Sequence, residues 1–212
     1  LRYIILFRHG KSDWNATFES DHNRPVSKRG SKAAKKMGKY LSNIDQVPSL
    51  IISSTALRAR NTAEIAIKAG KWSSDLVLEK KIYESSVETL INIIRQQKDE
   101  YNSICLVGHE PTFSSFIERC NNAVWSRFPT ASMTRIDFNI NSWYDVDLKF
   151  GSLVWLLRPK EIDQKVLLDE LPHGNGKINI VDGGLEIEGR KGSGDYSLIV
   201  NAAVIVKIDV PS

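Results

Sequence analysis

The sequence is sparing with every feature that would place it in a special structural class. Only two of its 212 residues are cysteine, Cys105 and Cys120. They have no metal-ligand spacing and make no disulfide framework, so a reducing cytoplasm is the expected location. No apolar run approaches the ~18 residues of a membrane-spanning helix. Leu1–Phe7 is apolar but too short for the hydrophobic part of a signal peptide, and no small-residue cleavage site follows it. It reads as a strand. Charge is nearly balanced, 29 Lys and Arg against 25 Asp and Glu, a net +4. That balance suits an anionic substrate and is too weak and dispersed for a nucleic-acid partner. Internal repeats and low-complexity tracts are absent. What remains, 42% hydrophobic and 25% charged residues, is the composition of an ordinary globular protein.

The pattern up to Arg158 alternates short apolar runs with amphipathic stretches. Tyr3–Phe7, Leu50–Ser53, Leu76–Leu78 and Ile104–Val107 read as buried strands. Between them, Lys28–Leu41, Arg58–Lys71 and Val87–Gln97 read as helices. Ala33, Ala34, Met37 and Leu41 fall at helical spacing in the first, and Leu90, Ile91 and Ile94 in the third. Ser27 is placed to cap the first helix, and Pro111 suits the first turn of another. Ala131–Asn139 and Ser152–Leu157 read as two edge strands joined by a polar turn through Asn141–Asp147. Alternating strands and helices predict a three-layer α/β/α domain over residues 1–160. Residues 161–212 differ in texture and predict a small β-rich extension of unknown role. Pro172–Gly176 and Asp182–Gly184 are turn signals, Lys177–Val181 and Leu185–Glu188 alternate as a hairpin does, and Tyr196–Val210 is β-prone.

The residues that bear chemistry cluster just after strands. Arg8-His9-Gly10 follows the first, where ligands of open α/β sheets sit. Arg8 offers a planar fork of donors for phosphate oxygens, His9 a nucleophile, and Gly10 a close approach of phosphate to backbone. Ser53–Thr62 follows the second strand and puts Arg58 near a helix start, where an anion is favoured. Gly108-His109-Glu110-Pro111 follows the fourth. Two Arg and two His converging from three strand ends is what phosphoryl transfer needs: a nucleophile, and fixed charge for the equatorial oxygens.

These segments, in this order, resemble the histidine phosphatase superfamily, the phosphoglycerate mutase-like fold with its mostly parallel central sheet. Leu6–Trp14 is similar to its signature loop, and Asp21–Gly30 to the segment that follows in its SixA-like phosphohistidine phosphatases. Ser53–Thr62 and Gly108–Pro111 match its second-arginine and second-histidine motifs. The resemblance ends near Pro159. It implies that His9 is transiently phosphorylated while Arg8, Arg58 and His109 hold the phosphoryl oxygens, with no metal and no cofactor. Glu84, in Ile82-Tyr83-Glu84, falls where mutase-like relatives carry a general acid; the alternative is a solvated glutamate heading the next helix. Asn15 falls where mutases carry an asparagine that touches phosphate, and Ser12 is a further candidate donor. His22 is expected on a loop near the mouth, Arg60 in solvent, His173 on the surface, and Trp125, Trp143 and Trp155 in packing roles. Between Arg58 and His109 there is no room for the helical cap that mutases and acid phosphatases insert, so the pocket is expected to be open. The expected substrate is phosphohistidine on a protein, with a small phosphate ester or a catalytically silent phosphate-binding module as alternatives.

Overall fold

The computed structural model describes residues 1–120, 128–162, 177–181 and 184–188. The chain divides into two compact units, Leu1–Ile162 and Asp163–Ser212. Along the first run β1 (Arg2–Arg8), α1 (Lys28–Asn43), β2 (Leu50–Ser53), α2 (Leu57–Gly70), β3 (Asp75–Leu78), α3 (Val87–Arg95), β4 (Ser103–Gly108), α4 (Thr112–Glu118), β5 (Met133–Phe138) and β6 (Ser152–Leu157). The six strands form one sheet in the order β3-β2-β4-β1-β5-β6. β1 to β4 are mutually parallel, and β5 runs against both its neighbours, β1 and β6. The sheet is therefore mostly parallel, and the fold is the phosphoglycerate mutase-like α/β fold.

Strand pleating sorts the apolar residues between the two faces. Ile4, Leu6, Leu50, Ile52, Ile104 and Leu106 share a core with Leu90, Ile93 and Ile94 of α3 and Phe113, Phe116 and Ile117 of α4. Residues of the opposite parity, Ile5, Phe7, Ile51, Cys105 and Val107, are equally buried and belong to the face of α1 and α2. The helices start where local chemistry favours it. The Ser27 side chain accepts the Gly30 N–H at 3.1 Å, and Ser86 accepts the Thr89 N–H at 3.2 Å. α1 and α2 approach so closely that a Cβ on Gly38 would lie 2.3 Å from the Ala66 carbonyl oxygen.

β1 and β4 lie side by side, with Arg8 opposite Gly108. β1 leads into the helix on one face and β4 into the helix on the other, so the crevice between their carboxyl ends is the switch point of the sheet. From Leu57 to Gly108 the chain holds only α2, β3, a 3-10 turn at Lys80–Ile82, α3 and β4. No cap is inserted there, as expected.

Two strand assignments change. Leu76–Leu78, expected buried, is the sheet edge, and its three residues are 36%, 49% and 42% exposed. A four-residue strand with one neighbour lacks the second flank that buries an inner strand. Ala131–Asn139, expected at an edge, supplies β5, which lies inside between β1 and β6; of this pair β6 alone is an edge, opposite β3. The expected polar turn between them carries a fully buried Trp143, whose indole N–H donates to the Tyr101 carbonyl at 2.8 Å. Trp155 is also buried.

In the second unit the described residues form two antiparallel strands, β7 (Lys177–Val181) and β8 (Gly184–Glu188), with Lys177 opposite Glu188 and Val181 opposite Gly184. That pairing is the expected hairpin. Pro172–Gly176, His173, Tyr196–Val210 and, in the first unit, Trp125 lie outside the described residues.

Candidate active site

The ends of β1, β2 and β4 bring Arg8, His9, Arg58 and His109 together. His9 is buried, and its Nδ1 lies 2.7 Å from the Gly10 carbonyl oxygen. A carbonyl only accepts, so Nδ1 carries the proton and the neutral ring keeps its lone pair on Nε2. Burial is the main reason the His9 pKa is lowered to about 4; the charges of Arg58, Arg8 and Arg24 add to it, against the Gly10 bond. The ring is therefore neutral, and nucleophilic, at pH 7.

His109 lies beside it, ring centroids 5.2 Å apart. Burial, then the neighbouring His9 and Arg58, lower its pKa to about 3. Its Nε2 is 2.8 Å from Ser54 Oγ, which itself accepts the Ala56 N–H at 3.2 Å. The tautomer that suits an oxyanion is the one in which Ser54 gives its proton to Nε2, leaving Nδ1–H as a donor.

The arginines are held in place by oxygen atoms. Arg8 donates from Nη1 to the Phe128 carbonyl at 2.7 Å. Arg58 uses both Nη atoms on Asp21, one on its carbonyl at 2.7 Å and one on Oδ2 at 3.0 Å. Arg24 pairs with the other carboxylate oxygen of Asp21 at 2.6 Å. Tyr83 donates its hydroxyl to Asp21 Oδ2 at 3.0 Å. Despite the desolvation that opposes it, this set of partners holds the Asp21 carboxyl below its ordinary range. Among the described residues, the buried atoms Arg24 Nε, Arg58 Nε and His109 Nδ1 have no hydrogen-bond partner. Orphaned donors around a neutral imidazole are the signature of a site built for a tetrahedral oxyanion.

The remaining expected site residues lie differently. The Gly10 N–H donates to Thr62 Oγ1 at 2.9 Å, and a Cβ there would meet the Gly30 carbonyl oxygen at 2.9 Å. Its lack of a side chain thus serves packing of the loop on α1 and α2, and its N–H is already engaged. Ser12 is buried in an isolated β-bridge with Val26. Asn15 is exposed, its N–H turned onto Asp13 Oδ1 at 3.0 Å, and the structure does not bring it to the cluster. Glu84 is exposed at φ 54°, with Tyr83 turned inward beside it. Arg60 is a solvated partner of Glu64, as expected. Sequence reasoning passes over Arg24, Asp21, Ser54 and Tyr83. Asp21 three residues before Arg24-Pro25 is a signal for the ion pair; nothing in the sequence marks Ser54 or Tyr83. His22 is more central than expected: its Nε2 lies 2.9 Å from Thr55 Oγ1 and its ring is 5.0 Å from Tyr83.

A family model described as the histidine phosphatase superfamily (branch 1) matches residues 4–90. A second, of a conserved hypothetical protein (Lin0512_fam), matches residues 117–206. An uncharacterized protein of Mycobacterium tuberculosis is 30% identical over 165 residues, 72% of this chain and 99% of its own. The fold matches a structure from Agrobacterium tumefaciens described as a candidate phosphohistidine phosphatase SixA. The two are 29% identical with a TM-score of 0.63, over 74% of this chain and 98% of that one. It also matches the protein histidine phosphatase SixA complexed with tungstate, at 19% identity and a TM-score of 0.65, over 76% of this chain and 99% of that one. The site and fold define a phosphoryl-transfer protein built on an α/β sheet. The chain belongs to the histidine phosphatase superfamily, on its SixA-like side, and is a phosphatase by that membership.

Proposed function

We propose that the protein hydrolyses phosphohistidine in other proteins through a phosphohistidine formed on its own His9. The observation that carries this is the bond from His9 Nδ1 to the Gly10 carbonyl, which keeps a lone pair on Nε2 among orphaned donors. Nε2 attacks phosphorus, a P–N bond forms, and the bond to the leaving group breaks with its electron pair. Arg8, Arg24, Arg58 and His109 Nδ1–H take up the charge on the three equatorial oxygens. Water then attacks phosphorus, inorganic phosphate departs, and the electron pair returns to Nε2. Three guanidinium groups supply the positive charge, so the reading requires neither metal nor cofactor.

Phosphohistidine is favoured because its imidazole can leave carrying its own proton. Glu84, the candidate acid, is exposed, and we assign it no part in protonating an alkoxide leaving group. The uncapped stretch between α2 and β4 leaves room for a side chain presented by a protein. Catalysis is assigned to the first unit, residues 1–162. The described cysteines are buried free thiols, in keeping with the cytoplasmic location we propose; among the described residues no helix is long and apolar enough to cross a membrane. The test is phosphate release from a phosphohistidine protein, an aryl phosphate and an alkyl phosphate, with acid-quenched enzyme assayed for acid-labile phosphate. Fast release from the first, and label on wild type but not on His9→Ala, is expected. A preference for the alkyl ester would assign a small-molecule phosphatase, and binding without turnover a phosphate-binding module.

A further inference from the structure

Phosphoryl transfer is roughly in line, so the leaving group departs opposite the nucleophile. His9 is buried at the floor formed by the strand ends, and the leaving group must therefore point toward solvent. What lies at that rim is aromatic. Tyr83 is half-buried and packs edge-on against His109 at 5.4 Å and against His22 at 5.0 Å. Its ring centroid is 5.8 Å from the Arg58 guanidinium carbon. On the loop after β1, Trp14 is 69% exposed and lies flat on Arg24, 3.4 Å from guanidinium carbon to ring centroid. Two of the arginines that face the phosphoryl group are thus each attended by an aromatic ring nearer to solvent. Apart from Arg24 and the edge-on ring of Phe18 at 6.4 Å, the Trp14 ring is open to solvent.

We propose that Trp14 and Tyr83 form a leaving-group subsite that selects phosphoryl donors whose leaving group is a planar ring, imidazole above all. The proposal rests on the phosphatase reading above and adds to it the part of the substrate beyond phosphorus. An imidazole in this position meets ring faces and edges on two sides, while the arginines beneath hold the phosphoryl oxygens. The Tyr83 hydroxyl is engaged by Asp21 and is not needed for the contact.

The experiment compares two donors that share a P–N bond, a phosphohistidine peptide and the ring-free phosphoramidate ion, with p-nitrophenyl phosphate as a second ring donor and vanadate as a probe of the phosphoryl pocket. Trp14→Ala and Tyr83→Leu should each lower kcat/KM on the two ring donors by about 5- to 10-fold, the order of one aromatic contact. In Trp14→Ala, phosphoramidate turnover and vanadate inhibition should stay within about twofold; Tyr83→Leu, which also removes the hydroxyl that donates to Asp21, is read against Tyr83→Phe. Tyr83→Phe, which keeps the ring, should keep the preference. Equal losses on phosphoramidate, a matching shift in vanadate inhibition, or no loss on the ring donors would overturn the subsite. Trp14→Ala alters an exposed side chain and decides the matter alone if Tyr83→Leu fails to fold. Failure of the phosphatase reading shows separately, as a wild type that turns over none of the donors, and would remove the subsite with it.

Discussion

The ends of β1 and β4 carry the same residue beside a glycine, pair in register, and do opposite things. At the end of β1, the His9 ring is pinned through Nδ1 by a backbone carbonyl, and Nε2 is left as the acceptor. At the end of β4, the His109 ring is held through Nε2 by the Ser54 hydroxyl, and Nδ1 has no partner among the described residues. Burial keeps both rings neutral at pH 7. The difference between nucleophile and oxyanion donor is therefore one of proton placement, set by which neighbour holds which nitrogen.

The comparison breaks most completely at the nucleophile. His9→Ala should lose at least ~10³-fold in turnover, since the other imidazole of the cluster, His109, has its Nε2 held by Ser54. Steady-state kinetics on an aryl phosphate will show it, and the far-UV spectrum should be unchanged. Removing the donor on the other side should do less. His109→Ala should lower kcat by about 10²- to 10³-fold, the usual effect of one oxyanion donor. Ser54→Ala, which only frees the tautomer, should lower it by about tenfold. If Ser54→Ala matches His109→Ala, the hydroxyl acts on substrate directly.

Acid should affect both ends together. His9 and His109 have folded pKa values of about 4 and about 3, below the unfolded 6.5. Between those values the unfolded chain binds more protons, so stability rises with pH there and is lost as pH falls from about 6.5 toward 4. Urea midpoints at pH 7.5 and pH 5 will read this. The acid limb of kcat/KM should likewise fall near pH 4 rather than 6.5. The smallest effect is expected at Glu84. As a non-glycine residue at φ 54° it is strained, so Glu84→Gly should be neutral or stabilising by up to about 1 kcal/mol. Turnover on phosphohistidine should stay within about twofold; a loss approaching ~10²-fold would restore Glu84 as the general acid.

Much of this architecture is legible in the amino-acid sequence. The strand ends, the Ser27 cap and the strand–helix alternation follow from local pattern, because burial on a pleated sheet and capping of a helix are decided within a few residues. The same locality misleads at Leu76–Leu78: an apolar triplet reads as buried whether or not a second strand flanks it, and here none does.

The site divides the same way. Arg8, His9, Arg58 and His109 can be chosen from sequence because each follows a strand, and parallel strands deliver their ends to one edge of the sheet. Ser54 and Tyr83 cannot, nor can the tie of Asp21 to Arg58, since the partners are 55 residues apart for Ser54 and His109, 37 for Asp21 and Arg58, and 62 for Asp21 and Tyr83; only the Asp21–Arg24 pair, three residues apart, is local. The sequence alone determined which residue types reach the pocket. Only the tertiary structure decided which imidazole nitrogen keeps its proton and which guanidinium atoms stay unpaired, because those depend on hydrogen bonds that exist only once distant segments meet.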